Sequence, residues 1–431
     1  MRKFNKSEIT GYIMKGLRNK LVFVILDGAA DRRCKGLQDR TPYETAFKPN
    51  LDYFAENGKT GLIYTVKKGV APESDVAVLA LLGYDPYQWF IGRGSLEAFG
   101  ADIPLRRGDL ALRANFSTVK DGKIIDRRVG RTLTTESANL LANEINKRVK
   151  LDFPFIFKPT IEHRGILVIR GSFSDNITNT DPAYSNKSVS VKAARSAFVQ
   201  MSRALDDDEA SSMSANLINS FSDQSHNILK NSRVNLDRIK NGLLPANYIL
   251  MRDAGTELPN VPKLHGKWLS IAGMPLEIGI SKLVGMQVAR FNYPDMKTYD
   301  VYDHLYLALK QYIDFAKKVI EKNIDQFDNF YLHIKETDVP GHDGMELHKK
   351  KMIEIVDERL FSYLRKLGVR VCVTSDHATP CCMKNHSDDP VPVVIYGYGK
   401  GRGNVKRFDE NSAKKGEIGA IKGTDLMKYL L

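Results

Sequence analysis

Residues 21–28 read LVFVILDG, and the fold turns on how they are understood. Six consecutive apolar residues, four of them β-branched or aromatic, fit a strand buried on both faces, as in a parallel sheet. Asp27-Gly28 ends the run. Two later stretches repeat the pattern: NFYLHI (329–334) leads into Lys335-Glu336-Thr337-Asp338, and VRVCVT (369–374) leads into Ser375-Asp376-His377. In an open α/β sheet, ligands bind beyond the carboxyl ends of parallel strands. Carboxylates that follow three such strands therefore converge on one crevice, however far apart they lie in the chain.

Around these runs the texture alternates between strand and helix. Helical patterns are expected near Pro49–Asn57, Ser74–Leu82, Thr135–Val149, Val301–Asn323, Lys349–Leu367 and Thr424–Leu431. Further strands are expected at Thr60–Val66, Leu110–Val119, Gly165–Arg170, Tyr248–Arg252 and Val391–Tyr396. The segment Ser188–Lys240 reads as helical. The middle of the chain looks α+β, whereas both ends look βα. The layout predicts an α/β, doubly wound sheet domain split in sequence (1–104 and 264–431), with a smaller α+β domain (105–263) inserted. Gly- and Pro-containing junctions near 100–108 and 259–266 would act as hinges.

The chain has 431 residues, a net charge of +13, 42% hydrophobic and 27% charged residues. These values exclude a disordered or collagen-like chain. Four cysteines without zinc-finger spacing favour a reducing, cytoplasmic setting. The basic first twenty residues lack a signal-peptide core, and no stretch approaches the ~18 apolar residues of a membrane span. The positive balance suits an anionic partner. Because no basic platform is interleaved with aromatics, a small molecule is expected rather than nucleic acid or a membrane. The oligomeric state is not legible.

Asp338 and His342 are four apart, so one helical turn would put them on the same face. His386 lies in a polar loop before the strand at Val391. Carboxylate plus imidazole suits Mn²⁺, Zn²⁺, Co²⁺ or Fe, with Mg²⁺ where oxygens dominate. One divalent ion is expected on Asp27, Asp376 and His377, and a second on Asp338, His342 and His386. Ser74 opens a helical run, where its side chain is expected to cap and the dipole would favour an anion. A nearby metal would make it a nucleophile. His333 falls inside its strand and is expected to be packed.

Several motifs stand in a recognisable order: Asp27-Gly28, Ser74-Asp75, GRGSLEA (92–98), DRRVGR (126–131), Ser174-Asp175-Asn176, KETD (335–338), GHDG (341–344), SDH (375–377) and HSDDPVP (386–392). Together these resemble the archaeal-type cofactor-independent phosphoglycerate mutases of the alkaline phosphatase superfamily. The resemblance implies an alkaline-phosphatase-like domain with an inserted substrate-closing domain. It further implies two divalent ions, most often Mn²⁺ or Mg²⁺, no 2,3-bisphosphoglycerate, and a phosphoserine at Ser74, which also joins the metal ligands. Ser95 and Asp253 stand where the family pattern has proline and glycine. For a small trianion such as 3-phosphoglycerate, Arg128, Arg131 and the His163-Arg164 pair are the expected grips, with Lys335 beside them. Asp126 and Asp175 are the candidate acid/base groups. The rival reading is a metal-dependent phosphatase or phosphomutase acting on another phosphorylated metabolite.

Overall fold

The computed structural model describes residues 17, 19–89, 92–184, 197–295, 300–398 and 403–431. Among them, the run that opens the sequence argument forms strand β1 (Leu21–Leu26), and every one of its residues is buried. Its partners follow in chain order: β2 (Gly58–Tyr64), then β3 (Leu110–Lys120), β4 (Lys123–Asp126), β5 (Phe155–Pro159), β6 (Arg164–Ile169) and β7 (Tyr248–Gly255). After these come β8 (Trp268–Ala272), β9 (Gln287–Arg290), β10 (Asn329–Ile334), β11 (Arg370–Thr374), β12 (Val391–Tyr396) and β13 (Gly419–Lys422).

The described strands make two sheets. The larger has the order β13-β2-β12-β11-β1-β10-β8-β9, and the smaller is built on β3, which pairs with β4, β6 and β7. The larger sheet draws on both ends of the chain, the smaller on its middle. β1 pairs parallel with β10 and β11, with Leu21 opposite both Asn329 and Arg370. That register ends all three strands at one edge, so Asp27, Lys335 and Ser375 leave the sheet side by side. β12 runs antiparallel to β11 and β2. Its start therefore lies at the same edge, and the loop from 375 to 390 stays there with its two histidines. The smaller sheet is antiparallel. Leu141, Ile145, Ile218 and Phe221, from the helices Thr135–Arg148 and Glu209–Leu229, share its core with Phe116 and Phe157.

Three expectations change. Of the helical segment expected over Ser188–Lys240, the part before 197 falls outside the described residues. The rest is helical only over Glu209–Leu229 and Arg233–Lys240. The acidic patch explains the late start, because Asp208 caps the first helix by accepting from the Ala210 N–H at 3.1 Å. The expected helix over Lys349–Leu367 starts earlier, at Glu346, and contains a π-helical turn at Asp357–Phe361. There the Asp357 carboxylate accepts from the backbone N–H groups of Asn50 and Leu51, at 3.2 and 2.7 Å, capping the helix Pro49–Asn57. The end of the chain is a 3₁₀ turn followed by a short helix, Met427–Leu430. No described helix is long and apolar enough to cross a membrane.

Candidate metal centre and substrate cavity

Ser74 is the first residue of the helix Ser74–Leu81; Glu73 holds the cap position, so the serine does not cap as expected. Its hydroxyl is thereby free to face the sheet edge, 3.3 Å from His377 Nε2 and 3.4 Å from Lys335 Nζ. Lys335 also donates to Asp27 Oδ2 and lies 3.9 Å from Glu277 Oε1.

Asp27, Asp376 and His377 are essentially inaccessible, and their ligand atoms lie within 4.8 Å of one another. Asp376 Oδ1 accepts from the N–H groups of Gly28 and His377, both at 3.1 Å. Among the described residues, Asp27 Oδ1 and Asp376 Oδ2 have no hydrogen-bond partner. Buried carboxylate oxygens left this way are costly unless a cation meets them. Asp338, His377 and His386 form a neighbouring group within the same 4.8 Å limit. His342 joins it, with Nε2 3.2 Å from Asp338 Oδ2.

The three imidazoles are oriented from behind. His386 Nδ1 meets the Pro72 carbonyl at 2.7 Å, His342 Nδ1 the Lys384 carbonyl at 3.2 Å, and His377 Nδ1 the Thr379 hydroxyl at 3.0 Å. Each arrangement presents Nε2 to the centre, as metal-binding histidines do. The His377 and His386 rings stack at 3.6 Å. Burial, then His386, holds His377 well below its ordinary value, and so in the neutral form a metal requires. Burial works against the Asp338 charge, but His342, with His377 and His386, outweighs it and keeps the carboxyl well below the usual range. Gly28, at φ 56°, permits the close approach, since a Cβ there would collide with Asp338 Oδ1 and Thr379 Oγ1. The donor set and the two orphaned oxygens fit divalent metal binding.

The site opens into a cavity of about 440 Å³ between the two sheets. Arg128, Arg131, His163, Arg164 and Lys335 line it, together with Ser74, Asp338, His342 and His386. Asp126 and Asp175 are not among the lining residues. Asp126 instead accepts from the N–H groups of Arg128 and Gly130, at 2.7 and 3.0 Å, and so shapes the turn that presents the arginines. Burial, then Arg164 and Arg128, holds His163 well below its ordinary value, leaving it neutral.

Sequence reasoning missed a second cluster on the same wall. Arg93 donates to Glu97 at 2.8 Å and to Glu73 at 3.2 Å, while Arg113 lies 3.3 Å from Glu97. Arg252 stacks on Tyr184 at 3.5 Å. Burial, then the charges of Arg252 and Arg93, bring Arg113 down to about 10. Cations crowded in this way are relieved by an anion. The Arg93–Glu97 spacing of four inside GRGSLEA was the one available signal. His333, read as packed, is buried but also holds Asp27 Oδ2 at 2.8 Å. Asp253 sits at φ 57°, the left-handed region that accounts for glycine in the family pattern.

Fold and site together define a class: α/β enzymes that gather carboxylates and imidazoles for divalent metal around one serine at a sheet edge. A sequence model described as 2,3-bisphosphoglycerate-independent phosphoglycerate mutase matches residues 55–235. The chain is 40% identical to the mutase of that name from Aeropyrum pernix, over 94% of this chain and 96% of that one. It is 39% identical to the Methanosphaera stadtmanae protein of the same name, over 96% of each. Among solved structures, it is similar to a cofactor-independent phosphoglycerate mutase from Thermoplasma acidophilum. That match has 30% identity and a TM-score of 0.56, and covers 95% of this chain and 98% of that one. The chain belongs to the 2,3-bisphosphoglycerate-independent phosphoglycerate mutases.

Proposed function

We propose that the protein interconverts 3-phosphoglycerate and 2-phosphoglycerate through a phosphoserine at Ser74. The observation that carries this reading is the position of the Ser74 hydroxyl. It stands between a carboxylate–imidazole centre and an arginine-walled cavity sized for a small trianion. Asp27, Ser74, Asp376 and His377 would hold one divalent ion, and Asp338, His342 and His386 the other. Mn²⁺ or Mg²⁺ is the first choice, with Co²⁺ or Zn²⁺ as substitutes. When bound, the ions lower the hydroxyl's pKa and offset the phosphoryl charge.

The Ser74 hydroxyl gives up its proton as Oγ attacks phosphorus, the bond to the glycerate 3-oxygen breaks, and that oxygen takes up a proton. Lys335 supports the charge gathering at Ser74. Arg128, Arg131 and Arg164 hold glycerate by its carboxylate while it reorients, with neutral His163 beside them. The 2-hydroxyl then gives up its proton and takes the phosphoryl group from Ser74. Catalysis rests on positioning and charge compensation. We treat 1–104 with 264–431, and 105–263, as the two bodies that close over glycerate, excluding water that would otherwise hydrolyse the phosphoserine. The partner is a small molecule, and the setting is cytoplasmic.

The test compares the parent chain with Ser74→Ala on 3-phosphoglycerate after chelation and metal add-back. Loss of 2-phosphoglycerate formation on chelation, its return with metal, and a fall of about 10⁴-fold or more in Ser74→Ala are expected. Equal turnover by both proteins removes the serine from the reaction.

A further inference from the structure

Behind the metal centre, away from the cavity, Asp31, Cys34 and Cys381 meet with their ligand atoms within 4.8 Å of one another. None is more than 6% exposed. Cys34 follows Asp27 on the loop after β1, and Cys381 follows His377 on the loop after β11. The two loops are already held in register. Ala378 bridges Ala29 and Ala30, and the Thr379 N–H donates to the Ala30 carbonyl at 3.1 Å. Cys34 Sγ lies 3.7 Å from Asp31 Oδ1, and the Cys381 N–H donates to both Asp31 oxygens at 3.1 and 3.2 Å.

The cluster resembles a metal site in its residue types but not in its charge. Lys349 Nζ, fully buried, donates to Asp31 Oδ2 and to the Thr379 carbonyl, both at 2.8 Å. The carboxylate is already paired and hydrogen-bonded, so no uncompensated anion calls for a cation. Two adjacent thiols remain. Their sulfurs lie within 4.8 Å of one another.

We propose that Cys34 and Cys381 are a redox-closable pair which, oxidised by a low-molecular-weight disulfide, forms a bond joining the two metal-bearing loops. One cysteine, as thiolate, attacks a sulfur of the oxidant, whose S–S bond breaks to release one thiolate. The second cysteine thiolate then displaces the other half. Two cysteine thiols are oxidised, one small disulfide is reduced to two thiols, and the two protons pass to the departing sulfurs. Burial makes the reaction wait on local opening of the loops. Once formed, the bond ties the beginning of the chain to its end, which restricts the unfolded ensemble strongly. Exposed Cys382, the adjacent residue, serves as the control. The functional weight of the bond rests on the proposed metal site, but its formation does not.

The full-length, metal-loaded protein is incubated with glutathione disulfide and mapped as unreduced peptides by mass spectrometry. A Cys34–Cys381 cross-linked peptide is expected, with a melting midpoint raised by about 5 °C and restored by dithiothreitol. Cys382→Ser should keep both effects, and Cys34→Ser should lose both. A map of the parent chain showing only glutathione on Cys382, or a Cys381–Cys382 link, overturns the proposal, as does a cross-link that leaves the midpoint unchanged. Loss of mutase activity in Ser74→Ala would leave every one of these readings as it was.

Discussion

The Lys335 ammonium touches Asp27, Ser74 and Glu277, so one side chain ties the proposed nucleophile to the carboxylates behind it. A fixed cation there is worth most when charge gathers on the serine oxygen. Lys335→Met is expected to lower kcat by about 10²–10³-fold with a smaller change in KM, because the loss falls on the transition state. Steady-state assays at saturating metal measure this, and an unchanged kcat would return Lys335 to a purely structural role. A second residue sets a pH dependence away from the centre. Burial pushes the Glu410 carboxyl from 4.5 up to about 7, although it accepts from the Asp31 N–H at 3.0 Å and the Thr41 hydroxyl at 2.6 Å. Its proton is held more tightly in the folded chain than in the unfolded one. The associated stability is therefore complete below pH 4.5 and is lost as pH rises through about 7. Glu410→Gln is expected to raise the melting midpoint at pH 8 and to leave it unchanged at pH 4.5. Equal shifts at both values would show that ionisation is not the cause.

At the scale of elements, the helix Arg93–Gly100 joins the cavity wall to both sheets' neighbours. It carries Arg93 and Glu97 to the cavity and packs against β3, β7 and the helix Pro275–Leu283, which carries Glu277. The two helices approach so closely because Gly100 faces the Pro275 carbonyl and Gly279 the Leu96 carbonyl; a Cβ at either would collide with backbone. Gly100→Ala is expected to cost about 1–3 kcal/mol of stability, read by denaturant unfolding. A neutral result would mean that the helices separate freely. This packing also marks the limit of sequence reading. The strand-end carboxylates were legible because each follows an apolar run, so strand order alone brings them together. Arg113 sits mid-strand and becomes a cavity residue only because β3 pairs with β7, setting Arg113 opposite Arg252. Nothing local to LALRANFSTV encodes that pairing. Ser74 was read as a cap because hydroxyls cap helices; which residue begins the helix was decided by backbone geometry at Glu73. The contacts of Asp357, in the π-helical turn, were invisible for a related reason, since its partners Asn50 and Leu51 lie far away in the chain.

For the whole molecule, the question is how glycerate turns over without losing its phosphoryl group to water. The cavity lies between the two sheets, and a polar latch spans them beside it. Arg131, from the turn after β4, lies 3.2 Å from Asp343 Oδ1, and the Tyr302 hydroxyl donates to Asp343 Oδ2 at 2.9 Å. Burial, then Asp343, pushes the Tyr302 hydroxyl up, so it remains a donor throughout the neutral range. Asp343 directly follows His342, so closing the latch and completing the centre involve the same short segment. Of the two contacts, only Arg131–Asp343 joins 105–263 to 264–431, while the Tyr302 hydroxyl steadies Asp343 within its own body. Weakening such a charged contact by about 1 kcal/mol is enough to move an open–closed balance about fivefold. Asp343→Asn keeps an acceptor for Tyr302 but removes the charge that meets Arg131. It is expected to raise inorganic phosphate released per 2-phosphoglycerate formed by about fivefold, while phosphorylation of Ser74 continues. Asp343→Ala, which removes both contacts, should raise it further. If both variants partition between water and glycerate as the parent does, the latch does not govern closure, and the exclusion of water must be sought in the arginine wall itself.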